Sequence, residues 1–324
     1  MSKLIKLTRR SAFALSAAAL LTIGAPTESR AEYPEKPVEM TILFGGTAKA
    51  IGQLLADLMS KNMSQPVVPV SRTGGGGAVG YTHVQGTAPD GYNIVWNSNS
   101  VSTAHHKGNM SFNYDAFTPI ARISTEVPAL AVNSDSGWKS LDDMVKAAKS
   151  GSDKLKVGIS GKGSFTHLTS AALFDALGIG DKVVYVPYGK GKAPAELLGG
   201  RIDAAIQWPG QFVSHAKAGT LTILAVTSAD RIAIIPDVPT AKEQGADVDI
   251  TMWRGLAAPK GTPEDVVMKL QAAAKAAVES DEFKAASEKI GFTRAFADHA
   301  AFGEQIASDD KNISMLMSDL GLKN

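Results

Sequence analysis

The segment that decides the fold is Val38-Glu39-Met40-Thr41-Ile42-Leu43-Phe44-Gly45-Gly46-Thr47, followed by Ala48-Lys49-Ala50-Ile51. Val38 to Phe44 is an apolar, β-rich run, and Gly45-Gly46-Thr47 is a tight turn. Ile51, Leu54, Leu55 and Leu58 then recur at helical spacing. The unit repeats outward along the chain. Val67–Val70 runs into Gly74–Gly77, and Ile94–Trp96 into Asn97-Ser98-Asn99-Ser100. Ala129–Val132 is a further strand, and Leu141–Ala148 a helix with Ser140 at its N-cap. Leu155–Ile159 leads into Ser160-Gly161-Lys162-Gly163-Ser164 and a helix from about His167 to Leu177. Val183–Val186, Ala204–Ile206 and Leu221–Thr227 are strands, with a helix after the first of them. From Pro263 onward the Ala-, Lys-, Glu- and Leu-rich sequence reads as two or three helices. Strands alternating with helices specify an α/β class with mostly parallel sheets. There is no internal repeat, low-complexity tract or Pro/Ser-rich linker, so two domains would be joined inside ordered structure.

Four strand ends, at residues 45–47, 73–77, 97–103 and 160–166, open into Gly/Ser/Thr/Asn loops before a helix. In open α/β sheets ligands bind beyond the carboxyl ends of the strands. Helix N-termini there offer unpaired N–H groups and partial positive charge, which suit carboxylate, phosphate or sulfonate. Four such loops converging would form a cradle for an anion.

The chain has 324 residues, 33 basic and 32 acidic, with 44% hydrophobic content. That composition is globular rather than disordered, and a net charge of +1 gives no basic footprint for nucleic acid. The absence of cysteine removes disulfides, thiolate catalysis, Cys-ligated zinc and iron–sulfur chemistry. At the N-terminus Lys3, Lys6, Arg9 and Arg10 precede the apolar run Ser11–Ala25, and Ser29-Arg30-Ala31 follows. A basic region, a short apolar region and a small-x-small site have the layout of a secretory signal peptide over residues 1–31. The run is shorter than the roughly twenty residues that span a bilayer. Arg9-Arg10 suggests twin-arginine export, but Phe13 sits one place too far on, which favours the general route. Cleavage after Ala31 leaves 28 basic and 31 acidic residues, a net of −3. The expected product is exported to the periplasm and soluble.

Motifs for catalysis are weak. Gly75-x-Gly77-x-x-Gly80 follows a strand, but no Asp or Glu lies between Gly91 and Tyr114 to hold a ribose, so a turn with close backbone packing is expected. Gly161-Lys162-Gly163-Ser164 lacks the Gly-Lys-Ser/Thr order of a phosphate loop. His83, His105, His106, His167, His215 and His299 show no metal-ligand spacing with carboxylates and read as surface residues. Asp142-Asp143 and Asp309-Asp310 read as solvated charge on helices. No catalytic residue, metal site or cofactor is expected, and no Gly-x-Ser-x-Gly elbow supports a triad.

Several segments in register resemble the Bug/TctC family of periplasmic solute-binding proteins of tripartite tricarboxylate transporters. They begin with Tyr33-Pro34-Glu35-Lys36-Pro37 leading to Phe44-Gly45-Gly46-Thr47, then Gln65-Pro66-Val67-Val68 and Ala88-Pro89-Asp90-Gly91-Tyr92. Val186-Pro187-Tyr188, Ala193-Pro194-Ala195 and Leu197-Leu198-Gly199-Gly200-Arg201-Ile202-Asp203 follow. Leu224–Ser228, Pro236–Thr240, Trp253 and Gly255–Pro259 complete the set, which covers essentially the whole mature chain. The resemblance implies a type II-like periplasmic binding protein, with a ligand cleft between two α/β domains. Lobe one would be residues 32–129 with 251–324, and lobe two 130–250. It implies a monomer that takes one small organic carboxylate, a di- or tricarboxylate or an aromatic one, and delivers it to transporter membrane subunits. By position, the ligand contacts would come from Phe44, Gly46, Thr47, Ala48 and Lys49, then Asn97, Ser98 and Ser100. Ser160, Lys162, Ser164, Thr166, Tyr188, Gln207, Trp208 and Arg254 would complete them, with Trp96 as a further aromatic wall.

The departures from the family pattern bear on the ligand. Ala48-Lys49 stands where Thr-Asp is usual, Gln207-Trp208 where Asp-Asn is common, and Arg254 where an aromatic or small residue is usual. A cleft faced by Lys49, Lys162 and Arg254 would be electropositive and would disfavour amino acids. Two other functions fit the same sequence. One is an exported two-lobed hydrolase or isomerase, for which His167 beside Ser164–Thr166 is the candidate base. The other is a ligand-presenting sensor for a two-component system, using the same cleft.

Overall fold

The computed structural model describes residues 33–324, so the expected signal peptide lies outside the described residues. Most strands end where an apolar run meets glycine, serine or proline, and two sheets result. The first holds β1 (Val38–Ile42), β2 (Val67–Ser71), β3 (Asn93–Ser98), β4 (Phe117–Glu126), β10 (Met252–Pro259) and β11 (Thr293–Ala297), in the order β11-β4-β10-β3-β1-β2. The second holds β5 (Ala129–Asn133), β6 (Leu155–Ile159), β7 (Val183–Pro187), β8 (Ala204–Gln207) and β9 (Leu221–Val226), in the order β7-β6-β8-β5-β9.

Both sheets are mixed, which corrects the expectation of mostly parallel pairing. β2, β1 and β3 are parallel, but β10 runs antiparallel to β3 and β4, and β11 antiparallel to β4. β6 is parallel to β7 and β8, while β5 is antiparallel to β8 and β9. β5 and β10, the first strands after each change of sheet, are reversed against their neighbours, as is the edge strand β11. β4 ends at Glu126 and β5 begins at Ala129, so Val127-Pro128 alone carries the first crossing. The second crossing runs from the end of β9 back to β10. Thr227 ties the two together. Its N–H and hydroxyl donate to Pro128 O at 3.0 and 3.3 Å, its hydroxyl to Ile250 O at 2.9 Å, and its carbonyl accepts from Ile250 N at 2.7 Å.

The helices cover the sheets. α1 (Thr47–Ser60) buries Ile51, Leu55, Leu58 and Met59 against Val38, Met40, Ile42 and Trp96, together with Leu270 and Ala274 of α8 (Glu264–Glu279). Each large apolar side chain so buried contributes about 1.5–3 kcal/mol. α4 (Leu141–Ser150) starts at Ser140, whose hydroxyl accepts the Asp143 N–H at 3.1 Å. α5 (Phe165–Ala176) starts two residues before its expected first residue, because Ser164 caps it. After α8 come α9 (Asp281–Ile290), β11 and α10 (His299–Asp319), so the C-terminal region is three helices with an edge strand among them. Ile313 and Met317 of α10 pack on Leu168 of α5, joining the helices of the two sheets.

α10 also closes over β10 through a close approach at Gly255. A Cβ there would lie 2.4 Å from Phe302 Cζ and 2.5 Å from the Ala121 carbonyl oxygen of β4. Gly255→Ala should therefore destabilise the protein by about 1–3 kcal/mol, the range for forced overpacking. Urea unfolding of the variant measures this, and an unchanged midpoint would show that the contact yields freely.

Candidate functional site

The strand-end loops of the two sheets face each other across a cavity of about 630 Å³. The first sheet supplies Leu43, Phe44 and Gly45 after β1, Thr73–Gly76 after β2, and Asn109. The second supplies Ser160–Lys162 after β6, Pro187–Gly189, Gly191 and Lys192 after β7, and Trp208 after β8. Among the described residues its charged lining residues are Lys162 and Lys192, and no Asp or Glu lines it. A second cavity of about 620 Å³ lies beside the crossing segment, lined by Thr125, Val127, Ile232–Ile234, Phe292 and Arg294. It takes none of the four strand-end loops.

The facing loops touch through glycine. Gly76 has φ +68°, and a Cβ on it would stand 2.8 Å from Lys162 O and 3.0 Å from Ser164 N. Asn109 spans the same gap. Its Nδ2 donates to Gly75 O at 2.8 Å and to Lys162 O at 2.9 Å, one carbonyl from each side. The glycine-rich run that resembles a dinucleotide fingerprint is thus a tight turn whose backbone abuts the opposite loop.

Beyond Phe44, Ser160 and Trp208 the cavity narrows into an inner nook bounded also by Ser100, Ser164, Phe165, Thr166, Met252 and Arg254. Phe165 and Trp208 pack with Met252 of β10 in a small apolar cluster that spans the two sheets. Ser164 Oγ lies 3.0 Å from Thr166 Oγ1, Thr166 Oγ1 accepts the Ser160 N–H at 2.9 Å, and Ser100 Oγ accepts the Phe165 N–H at 3.3 Å. Arg254 and Glu126 are each 1% exposed and form a buried ion pair through Arg254 Nε and Nη2, the latter at 3.4 Å from Oε2. The guanidinium also stands 5.2 Å from the Trp208 ring centroid. Burial pushes the Glu126 carboxyl up from its ordinary range, and Arg254 pulls against that shift.

Of the residues singled out in the sequence, Phe44, Ser100, Ser160, Lys162, Ser164, Thr166, Tyr188, Trp208 and Arg254 line the cavity or the nook. Gly46, Thr47, Ala48, Lys49, Asn97, Ser98 and Gln207 do not. Lys49 is exposed on α1, outside the lining. Trp96 is 1% exposed in the core and donates from Nε1 to Ala48 O at 2.9 Å, so both support β1 and α1 from behind. Asn97 Oδ1 accepts the Tyr81 hydroxyl at 2.8 Å, and buried Gln207 holds Ser160 Oγ at 3.2–3.3 Å. The expected electropositive face is corrected in its sources: Lys162 and Lys192 line the cavity, Lys49 does not, and the charge of Arg254 is matched by Glu126. Gly76 lies in the expected loop at 73–77, whereas Asn109, Gly191 and Lys192 line the cavity without belonging to any of the four loops. That glycine loop was the one signal, since Asn109 and Lys192 acquire their role only from the loop opposite.

Two groups of presumed surface residues are also corrected. His106 pairs with Asp310 at 3.1 Å, and Asp309 accepts the Trp253 Nε1–H at 2.8 Å. His167 is 6% exposed behind the Ser160–Ser164 loop, and its Nδ1 accepts the Gly163 N–H at 3.1 Å. That bond uses the nitrogen a general base would need. Desolvation, with help from Lys107 and Lys162, lowers the His167 pKa to about 4. Among the described residues no group of three or more His, Asp or Glu could hold a metal ion, and no helix is long and apolar enough to cross a membrane.

A family model described as "tripartite tricarboxylate transporter family receptor" matches residues 51–322. The chain belongs to that receptor family. The UPF0065 protein in the TAR-I ttuE-ttuC' intergenic region of Agrobacterium vitis is 31% identical to this receptor over 304 residues, 91% of this chain and 87% of its own length. The solved structure of periplasmic binding protein BugD matches the receptor with a TM-score of 0.84 at 29% identity, covering 90% of this chain and 99% of that one. MatC from Rhodopseudomonas palustris, solved with bound malate, matches with a TM-score of 0.81 at 25% identity, covering 88% and 99%.

The neutral, buried His167 of the receptor sets a pH dependence. Its folded pKa lies below its unfolded one, so the unfolded state binds more protons between about pH 6.5 and 4, and stability falls on acidification through that window. By pH 5 the loss should be about 2 kcal/mol. His167→Asn, whose amide oxygen can replace Nδ1 as acceptor, should flatten this part of the curve. Urea midpoints at pH 7 and 5 for both proteins test it; parallel losses would exclude His167 as the cause.

Proposed function

We propose that this protein is a periplasmic receptor that captures one small organic carboxylate between its two sheets. It would act as a monomer and hand the ligand to the membrane subunits of a tripartite tricarboxylate transporter. The observation that carries this reading is the cavity lining, which among the described residues holds two lysines, no carboxylate, and loops rich in backbone N–H groups and hydroxyls. An amino acid would leave its ammonium without a counter-charge there, whereas a di- or tricarboxylate meets donors throughout. Malate bound in the related MatC supports the same ligand class.

The two crossings support a lobe division close to the expected 32–129 with 251–324 and 130–250, with Ala129 on the second side of it because β5 begins there. Closure of such lobes excludes water and strengthens every charge contact inside. A receptor rather than an enzyme is favoured because the one candidate base, His167, accepts a backbone hydrogen bond and is desolvated into its neutral form. The layout of residues 1–31 and the name of the BugD relative support the periplasm as the place of action.

A thermal-shift series on the chain from residue 32 onward tests the reading, using C4–C6 carboxylates, aromatic carboxylates, sulfonates and amino acids. Ligand at a hundred times its Kd stabilises the native state by about 2.7 kcal/mol, a rise of roughly 5 °C or more. A carboxylate should give this shift, and Lys162→Ala with Lys192→Ala should weaken its binding about fivefold or more, since exposed charges each contribute up to about 1 kcal/mol. A shift with zwitterionic amino acids alone would overturn the carboxylate assignment.

A further inference from the structure

The inner nook carries an unused hydrogen-bonding group. Arg254 donates through Nε and Nη2 to Glu126, but its Nη1 is buried and has no partner. A buried donor left unmatched costs free energy that a ligand acceptor can recover. The other polar walls among the described residues are hydroxyls, those of Ser100, Ser160, Ser164 and Thr166, with no carboxylate. Ser100 Oγ already accepts the Phe165 N–H, which leaves its own hydrogen to donate. The nook is therefore a donor site, with space near 10 Å³, about that of one oxygen atom. It adjoins the main cavity at Phe44, Ser160 and Trp208, which wall both spaces. The lysines lie in the main cavity and not in the nook.

We propose that Arg254 and Ser100 form an inner subsite that receives one oxygen of the ligand's second acidic group. The ligand is then a dianion whose acidic groups are separated by an apolar or planar segment. One end faces Lys162 and Lys192, the middle passes between Phe44 and Trp208, and the far end reaches Arg254 Nη1. Because Glu126 balances the guanidinium charge, the subsite selects by hydrogen bonding in a fixed direction. This inference rests on the carboxylate-receptor reading and specifies its ligand.

Calorimetric titrations of the mature protein with adipate against hexanoate, and terephthalate against benzoate, test it. Wild type should prefer the better-fitting diacid over its monoacid by more than about tenfold. Removing the Arg254 side chain alone would strand a buried Glu126 and endanger the fold, so the decisive variants are Arg254→Met with Glu126→Leu, and the isosteric Glu126→Gln, whose amide oxygen keeps an acceptor for Arg254 Nε. The double variant should lose the diacid preference, its diacid affinity falling about tenfold further than its monoacid affinity, while a cooperative melting transition shows that it still folds. Glu126→Gln leaves the guanidinium less compensated and should tighten diacid binding, a gain that a merely structural role for the pair would not produce. A diacid preference surviving in the double variant, or weaker binding of every acid in Glu126→Gln, would overturn the subsite. Wild type binding mono- and diacids equally would overturn it too while leaving the receptor reading intact; wild type binding no carboxylate would end both.

Discussion

The Glu126–Arg254 ion pair is the constraint around which the rest of the molecule is arranged. Glu126 is the last residue of β4, immediately before the chain leaves the first sheet, and Arg254 lies on β10, just after it returns. Trp208, from the second sheet, stands over the guanidinium. One buried pair thus fixes the exit, the re-entry and the floor of the cavity together. Such a pair contributes little net stability, because desolvating two charges offsets most of their attraction, but losing one partner costs about 3–5 kcal/mol. Its value here is positional: it permits one register of β10 against β4 and sets where Trp208 can lie.

This arrangement explains which parts of the fold could be read in the sequence. β1, β5, β6, β8 and β9 are short apolar runs ending in glycine, serine or a turn, and their bounds come out within a residue or two. β4, β10 and β11 are harder. Pro119 and Arg122 interrupt β4, Arg254 and Gly255 interrupt β10, and their burial depends on partners more than a hundred residues away. A charge inside a strand argues for the surface unless its counter-ion is known, and sequence spacing does not reveal the counter-ion. Missing these strands is also why mixed sheets looked parallel.

The candidate site divides the same way. Glycine, serine and threonine after an apolar run mark a strand end near a helix N-terminus, and the loops after β1, β2 and β6 do line the cavity. The loop after β3 reaches it only through Ser100. Asn97 and Ser98 point their polar groups inward to Tyr81 and neighbouring backbone, because β3 is central and covered on both faces. Lys49 lies on the exposed side of α1, two residues beyond the Gly45-Gly46-Thr47 turn. Asn109 and Lys192 carry no local signature, since what defines them is a loop on the other sheet.

Thr227 joins the two connections between the sheets by hydrogen bonds to Pro128 and Ile250. Two independent tethers would join the sheets without touching; here the Thr227 hydrogen bonds brace the two segments side by side. A change in the angle between the sheets would therefore load both segments at once, because neither can shift without pulling on the other.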